Sequence, residues 1–300
     1  DGPGTQESRT GRAEGGTRMK GSMKSSRNIV KIVIYVVCIV LSILSIFPFY
    51  IMFINATRGT FEIQQSSVAL LPSSFLKSNF QILTGKSFNP FVGFVNSMLI
   101  SSGATILAVY FSSLTAYGLV AYIWKWRQPF FTFIMAVLMI PAQVSSIGFY
   151  QFMYRIGMTN NHLALILPSI AAPAMVFFMR QYLVANLPLD IVNSARIDGA
   201  GEFYTFNRII LPIMKPAMAT QAIFTFVAAW NNLFLPVILL TDKSKYTMPI
   251  MVSLLRGDIY KTEYGSVYLG LALTVLPLFI IYFMLSKYII AGVALGALKE

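Results

Sequence analysis

The sequence predicts an all-α polytopic membrane protein with six transmembrane helices. Only 11% of the 300 residues are charged and the mean hydropathy is +0.67, whereas an ordinary soluble domain is about 25% charged. The apolar share, 56%, exceeds what a water-soluble core of this length can bury. The ionisable residues also cluster, leaving six long windows free of Asp, Glu, Lys and Arg.

The first window opens after Lys31 and closes before Arg58. The others run from Ser87 to Trp124, Gln128 to Tyr154, Ile156 to Met179, Pro216 to Thr241 and Tyr264 to Ser286. Each is longer than the roughly 20 residues a helix needs to cross a bilayer. Helices are expected near 30–55, 93–123, 129–151, 163–184, 217–240 and 267–289. The first window is long and has no clear small-residue cleavage site, which favours a retained helix over a signal peptide. Residues 1–28 are rich in Gly, Ser and Arg and have no apolar pattern, so a disordered tail is expected there. Residues 29–290 then form the membrane domain and 291–300 a cytoplasmic tail.

The 23 basic against 11 acidic residues give a net charge of +12. In a soluble chain that excess suggests nucleic acid. In a membrane chain it marks topology, because Lys and Arg collect on the cytoplasmic side. Six spans place both termini on one side, which holds fifteen cations against eight on the other. The short WKWRQP stretch between spans two and three is purely basic. Both termini are therefore expected in the cytoplasm, and nucleic-acid binding is not expected. Cys38 is the lone cysteine and His162 the lone histidine, so no disulfide, metal site or catalytic group is expected. His162 reads as an interfacial polar residue.

A charge-free membrane region argues against an ion-coupled carrier, which usually holds an ionisable group in the membrane, and against a charge-lined channel. Neutral polar residues remain. Span two holds Asn96, Ser97, Ser101, Ser102, Thr105, Ser112, Ser113, Thr115 and Tyr117, and span three holds Gln143, Ser145 and Ser146. Such residues act as glue between helices or line a path for a hydroxyl-rich solute. Gln143 and the run Trp230–Asn231–Asn232 are the better candidates for a path, because amides exchange hydrogen bonds with sugar hydroxyls and aromatic faces suit sugar rings. Pro48, Pro141, Pro168, Pro173, Pro236 and Pro277 lie in or near the spans, where they can kink helices.

The loop between spans four and five, about 186–213, is the most informative stretch. Pro188 suits a first helical position. Leu189, Val192 and Ala195 follow helical spacing, and Gly199 can close the helix in a left-handed cap. A short amphipathic helix on the cytoplasmic surface is expected, whose alternative roles are a lipid-lying helix or a plain connection.

This loop resembles the EAA loop of ABC importer permeases, whose pattern is Glu-Ala-Ala, three residues, Gly, nine residues, Ile-x-Leu-Pro. Here Asn193-Ser194-Ala195 is followed by Arg196-Ile197-Asp198 and Gly199. Nine residues, Ala200 to Arg208, then precede Ile209-Ile210-Leu211-Pro212. Asn193 and Ser194 replace the opening Glu and Ala, which removes one possible salt bridge to a partner. Asn96-Ser97, Leu114-Thr115-Ala116-Tyr117, Met139-Ile140-Pro141, Gly157-Met158-Thr159-Asn160, Phe226-Val227-Ala228-Ala229-Trp230-Asn231 and Thr247-Met248-Pro249 also match, in order. Over residues 30–299 the chain is similar to the carbohydrate permeases of the maltose and multiple-sugar kind, the MalG type.

The resemblance implies a type I importer permease fold in a bacterial cytoplasmic membrane. It implies a non-catalytic subunit that forms its pore with a second, homologous permease in a heterodimer. Two ATPase subunits would carry ATP and Mg, and an extracellular binding protein would deliver a sugar or oligosaccharide. Coupling to the ATPases would fall to Asn193, Ser194, Ala195, Arg196, Asp198, Gly199, Ala200, Leu211 and Pro212. A C-terminal tail with Gly296, Leu298 and Lys299 would touch them too. No cofactor is expected on this chain: it has no phosphate-binding loop, and Gly85-Lys86-Ser87 lacks the upstream glycine. The outer stretches 56–92 and 241–266 offer Arg58, Glu62, Lys77, Asp242, Arg256, Asp258 and Tyr260 for the binding protein, or are simply solvated. The alternatives are a permease for another solute such as glycerol 3-phosphate, and a stand-alone channel or secondary carrier.

Overall fold

The computed structural model describes residues 10–85, 88–255 and 262–297, and among them there are helices and no strand. In chain order they are α1 (Thr10–Ala56), α2 (Thr60–Gln65), α3 (Leu76–Gly85), α4 (Pro90–Ala121), α5 (Arg127–Val137), α6 (Ala142–Arg155) and α7 (Leu163–Ile166). Then come α8 (Pro173–Asn186), α9 (Leu189–Ile197), α10 (Glu202–Thr205), α11 (Leu211–Trp230), α12 (Phe234–Leu239), α13 (Met248–Leu255) and α14 (Tyr264–Ala297). Five stretches are long and apolar enough to cross a membrane: Val30–Ala56, Pro90–Ala121, Leu163–Asn186, Glu202–Trp230 and Tyr264–Phe283. The chain is a multi-pass membrane protein.

The third expected span, 129–151, is two helices, α5 and α6. Between them Leu138, Met139 and Ile140 donate three residues back, to Met135, Ala136 and Val137. Pro141 follows in an extended conformation and has no N–H to continue the ladder. Neither half reaches the length of a span. The fifth also departs from expectation: a continuous helical run starts at Glu202 and ends at Trp230, where 217–240 was predicted. Its cations Arg208 and Lys215 are exposed, so they do not interrupt the helix, and charge was a poor guide to where it starts. Residues 10–28, expected to be disordered, extend α1 upstream. Adding turns to an existing helix avoids the cost of a new nucleus.

Helix α4 is the axis of the fold. Asn89 caps it by accepting from Val92 N–H at 3.2 Å, and Pro90 follows at its start. Half of its most apolar window is buried, while none of the corresponding window of α1 is. Small residues achieve this burial: Ser97, Ser101, Ala104, Ala108, Ser112, Ser113 and Ala116 are almost inaccessible. They let neighbouring helices approach closely. Toward the α9 end of the molecule, Ala108, Val109, Ala116 and Tyr117 pack with Met175, Met179, Leu183, Phe206, Ile210 and Met214. Toward the other end, a second cluster joins Ala56, Leu83, Phe88, Met248, Met251, Leu255 and Val267.

That second end is closed by hydrogen bonds to backbone. Asn96 donates to the carbonyls of Ser244 and Tyr246 at 2.9 and 3.0 Å, and Met248 N–H donates to Ser97 Oγ at 2.9 Å. Two of the family-like phrases are therefore partners in space. Asn79 donates to the carbonyls of Ala56 and Arg58, and Ser266 donates to the Asn79 carbonyl. Gly265 lies against this knot. A methyl group there would come within 2.6 Å of the Asn79 amide and closer still to the Arg58 carbonyl.

Gly265→Ala is expected to destabilise the protein by about 1–3 kcal/mol, as overpacking does, and to lower the thermal unfolding temperature in detergent. Gly118→Ala, where nothing lies within 4 Å, should leave it unchanged or raise it, since Ala is the better helix former. Equal melting temperatures for the two variants would refute the knot.

Candidate coupling surface and solute path

The expected amphipathic helix is α9. Pro188 stands one position earlier than predicted, at the N-cap, and its carbonyl accepts from Ile191 N–H at 3.1 Å. Asp190 lies in the first turn and Arg196 in the last, each at the end where its charge suits the helix dipole. Gly199 terminates the helix with φ +76°, the left-handed conformation that disfavours a side chain. Its N–H donates to the Arg196 carbonyl at 3.1 Å, and Ala200 N–H donates to the Ala195 carbonyl at 2.9 Å. This pair of bonds is a Schellman cap. The glycine of the EAA spacing is thus required by the backbone.

Val192 is buried in the core cluster, and Ala195 is buried beside it on the same face of α9. Asn193, Ser194, Asp198 and Gly199 are exposed, and so are Ile197, Phe203 and Tyr204. Large apolar groups beside backbone-rich glycine turns make a compact surface suited to a partner protein. Ala200 and Leu211 are partly covered and Pro212 is exposed. Leu211 and Pro212 open α11 directly after a π-helical turn, Phe206–Ile210. The wider turn accommodates a proline within a continuous helix. Gly296 lies within α14, and Leu298 and Lys299 lie outside the described residues.

Arg196 projects from the surface back toward the membrane domain. Its Nε donates to Glu202 Oε1 at 2.7 Å, and its guanidinium lies 5.0 Å from the Tyr122 ring. The bond to Glu202 pushes the Arg196 pKa above its ordinary value, so the pair stays ionised. Glu202 Oε2 accepts from the Tyr117 hydroxyl at 2.8 Å. Sequence reading passed over Glu202. It carries no motif, and its only signal is its position at the start of a helix three residues after Gly199.

The residues proposed for a solute path separate. Trp230 is buried (1% exposed) and its Nε1 donates to the Thr274 carbonyl at 3.1 Å. It stacks on Phe226 and meets Phe94 edge-on. Its place is therefore in the packing of α11 against α14 and α4. Asn231 is exposed at the end of α11. Asn232, two residues before α12, accepts from Leu235 N–H at 3.4 Å, and lines a cleft of about 230 Å³ with Phe149, Ser169 and Pro236. Gln143 is exposed on α6 and does not line that cleft.

At the opposite end, Arg58 is buried and donates to Asn55, Ser66 and Glu62. It is a structural residue and not a free docking group. Glu62 supports the same turn, accepting from Gly59 N–H and Ser73 Oγ. Lys77 is exposed. Asn160, in the left-handed region at φ 55°, clasps Asp242 at 2.6 Å and accepts from Lys245 Nζ at 2.6 Å. His162 Nε2 meets the Lys245 carbonyl at 3.0 Å. Arg256, Asp258 and Tyr260 lie outside the described residues.

Residues 108–294 match the family described as "Binding-protein-dependent transport system inner membrane component". The chain is 32% identical over 255 residues to the arabinooligosaccharides transport system permease protein AraQ of Halalkalibacterium halodurans, covering 84% of this chain and 91% of that one. It is also 32% identical over 273 residues to the lactose transport system permease protein LacG of Rhizobium radiobacter, covering 91% and 98%. The fold is similar to a chain of a solved bacterial ABC transporter involved in the import of the acidic polysaccharide alginate. That match has a TM-score of 0.74 at 20% identity over 88% of this chain and 97% of the other. The chain belongs to the family of binding-protein-dependent transport system inner membrane components, the non-catalytic permeases of ABC importers.

Proposed function

We propose that this permease imports a sugar or oligosaccharide. A second, homologous permease completes the pore, and two ATPase subunits dock on α9 and the turn after it, within residues 188–212. An extracellular binding protein delivers the solute, and both termini are cytoplasmic. Six crossings follow if the α5–α6 pair counts as one broken span. The observation that carries the coupling role is α9 itself. The helix is closed by a glycine cap, anchored by Val192 and Ala195, and presents Asn193, Ser194, Ile197 and Asp198 outward. The names of the relatives, for arabinooligosaccharides and lactose, support the solute class. So does the neutral character of Asn231, Asn232 and Gln143, which suits hydroxyl groups.

The turn at Gly199 separates two effects of mutation. Nothing lies within 4 Å of a side chain placed there, so space is not limiting. A left-handed non-glycine residue costs roughly 1–2 kcal/mol, and Asn and Asp least among them. Gly199→Asn should therefore keep most ATP-driven uptake. Gly199→Asp adds a charge to the docking turn and should abolish uptake while the ATPase subunits continue to hydrolyse ATP. Equal uptake by both variants would remove the turn from coupling.

The division of labour has its own check. Purified from its native membrane in mild detergent, the chain should bring down an ATPase and a second permease. In vesicles without ATP it should move no sugar. Solute flux through the isolated chain would leave the proposal without support.

A further inference from the structure

One polar cluster lies inside the docking surface rather than on it. Both oxygens of Glu202 are engaged, Oε1 by Arg196 at 2.7 Å and Oε2 by Tyr117 at 2.8 Å. Arg196 belongs to the last turn of α9. Tyr117 is buried in α4, with its ring 5.7 Å from both Phe206 and Tyr122. Glu202 itself begins the helical run that continues through the π turn into α11. Three separate pieces of chain therefore converge on one carboxylate.

Apart from the Arg196 guanidinium lying 5.0 Å from the Tyr122 ring, little else fixes the orientation of α9. Val192 and Ala195 are its only buried side chains among the described residues, and both lie on one apolar stripe. Two apolar contacts set the distance of a helix from its support but resist rotation about its own axis weakly, because apolar attraction is not directional. A charge-assisted hydrogen bond is directional and about twice as strong as a neutral one. The Arg196–Glu202–Tyr117 chain supplies that missing constraint, and it leads to α4.

We propose that Glu202 is a latch, a positioning residue that makes α9 move as one body with α4, so that a load on the docking face is delivered to the buried axis of the fold. The proposal rests on the coupling role assigned above to α9. Glu202→Gln keeps the shape and loses the charge. Tyr117→Phe keeps the ring packing and loses only the 2.8 Å bond.

The test uses the full complex with its partner permease and ATPases. Cys38, the single cysteine, is replaced by Ser, and spin labels are placed at Asp190→Cys and Ile123→Cys, both exposed positions. With Glu202 intact, the distance distribution should be narrow and identical with ATP plus vanadate and without nucleotide. In Glu202→Gln, which removes the ion pair and replaces one of the two accepting oxygens with an amide donor, it should broaden and become nucleotide-dependent. Tyr117→Phe should move the same way by a smaller amount. The paired exchange Arg196→Glu with Glu202→Arg should narrow it again relative to either single change, a recovery that general loosening of the fold would not produce. An unchanged distribution in assembled Glu202→Gln overturns the latch and leaves the coupling role standing. If that variant fails to assemble, an unchanged distribution in Tyr117→Phe overturns it equally. A wild-type complex with no ATP-dependent uptake overturns both readings.

Discussion

The close approach of helices to α4 is the constraint on which the rest of this structure depends. Between helices in lipid there is no hydrophobic drive to associate, so contact must come from dispersion and hydrogen bonding at short range. Ser101, Ala104, Ala108, Ser112, Ser113 and Ala116 make short range possible because their side chains are small. Among the described residues the hydroxyls of Ser101, Thr105 and Ser113 meet no hydrogen-bond partner. Polar ties hold both ends of α4. Asn96 and Ser97 hold one end, and Tyr117 holds the other. A helix tied at both ends and packed tightly between cannot bend freely.

Set against that rigid axis are the places where the helical ladder is interrupted. The α5–α6 break at 138–141, the 3₁₀ turn Leu167–Ile170 before Pro173, and the π turn before Pro212 each stand next to a proline. In a membrane an unpaired backbone group costs several kcal/mol, so such breaks persist only where the local turn re-pairs the groups. The i−3 bonds at Leu138 to Ile140 do so in one case. The interruptions lie in the helices around α4 and not in α4, so flexibility and rigidity are assigned to different elements.

Composition was enough to locate the apolar windows, because a charge in hydrocarbon is costly wherever its neighbours lie. It also pointed to Gly199, because a left-handed cap is a property of one backbone position. What composition could not supply was partnership. Arg58 reads as a surface cation and is a buried tie between Asn55, Ser66 and Glu62. Trp230 reads as a sugar platform and is a core residue whose Nε1 is satisfied by Thr274. The start of the fifth helix at Glu202 lay hidden behind Arg208 and Lys215, because charge content marks where a helix leaves lipid and not where it begins. Glu202 was invisible for the same reason. Its importance lies in Arg196 and Tyr117, six residues behind it and eighty-five behind it.

These reassignments change what the chain offers to a solute. Once Trp230 is committed to packing and Asn96 to the 244–246 carbonyls, the polar groups still facing open space among the candidates are Gln143, Asn231 and part of Asn232. They are few, neutral and scattered over different elements. Such a surface provides no dense array of donors and acceptors able to select one sugar from another, since selectivity by hydrogen bonding needs several groups held in fixed relation. A neutral solute would meet no charge at these three groups. Binding strength in a transporter of this design is best placed on a separate delivery protein, with the permease contributing passage and movement. The few exposed neutral groups around α4 fit that division.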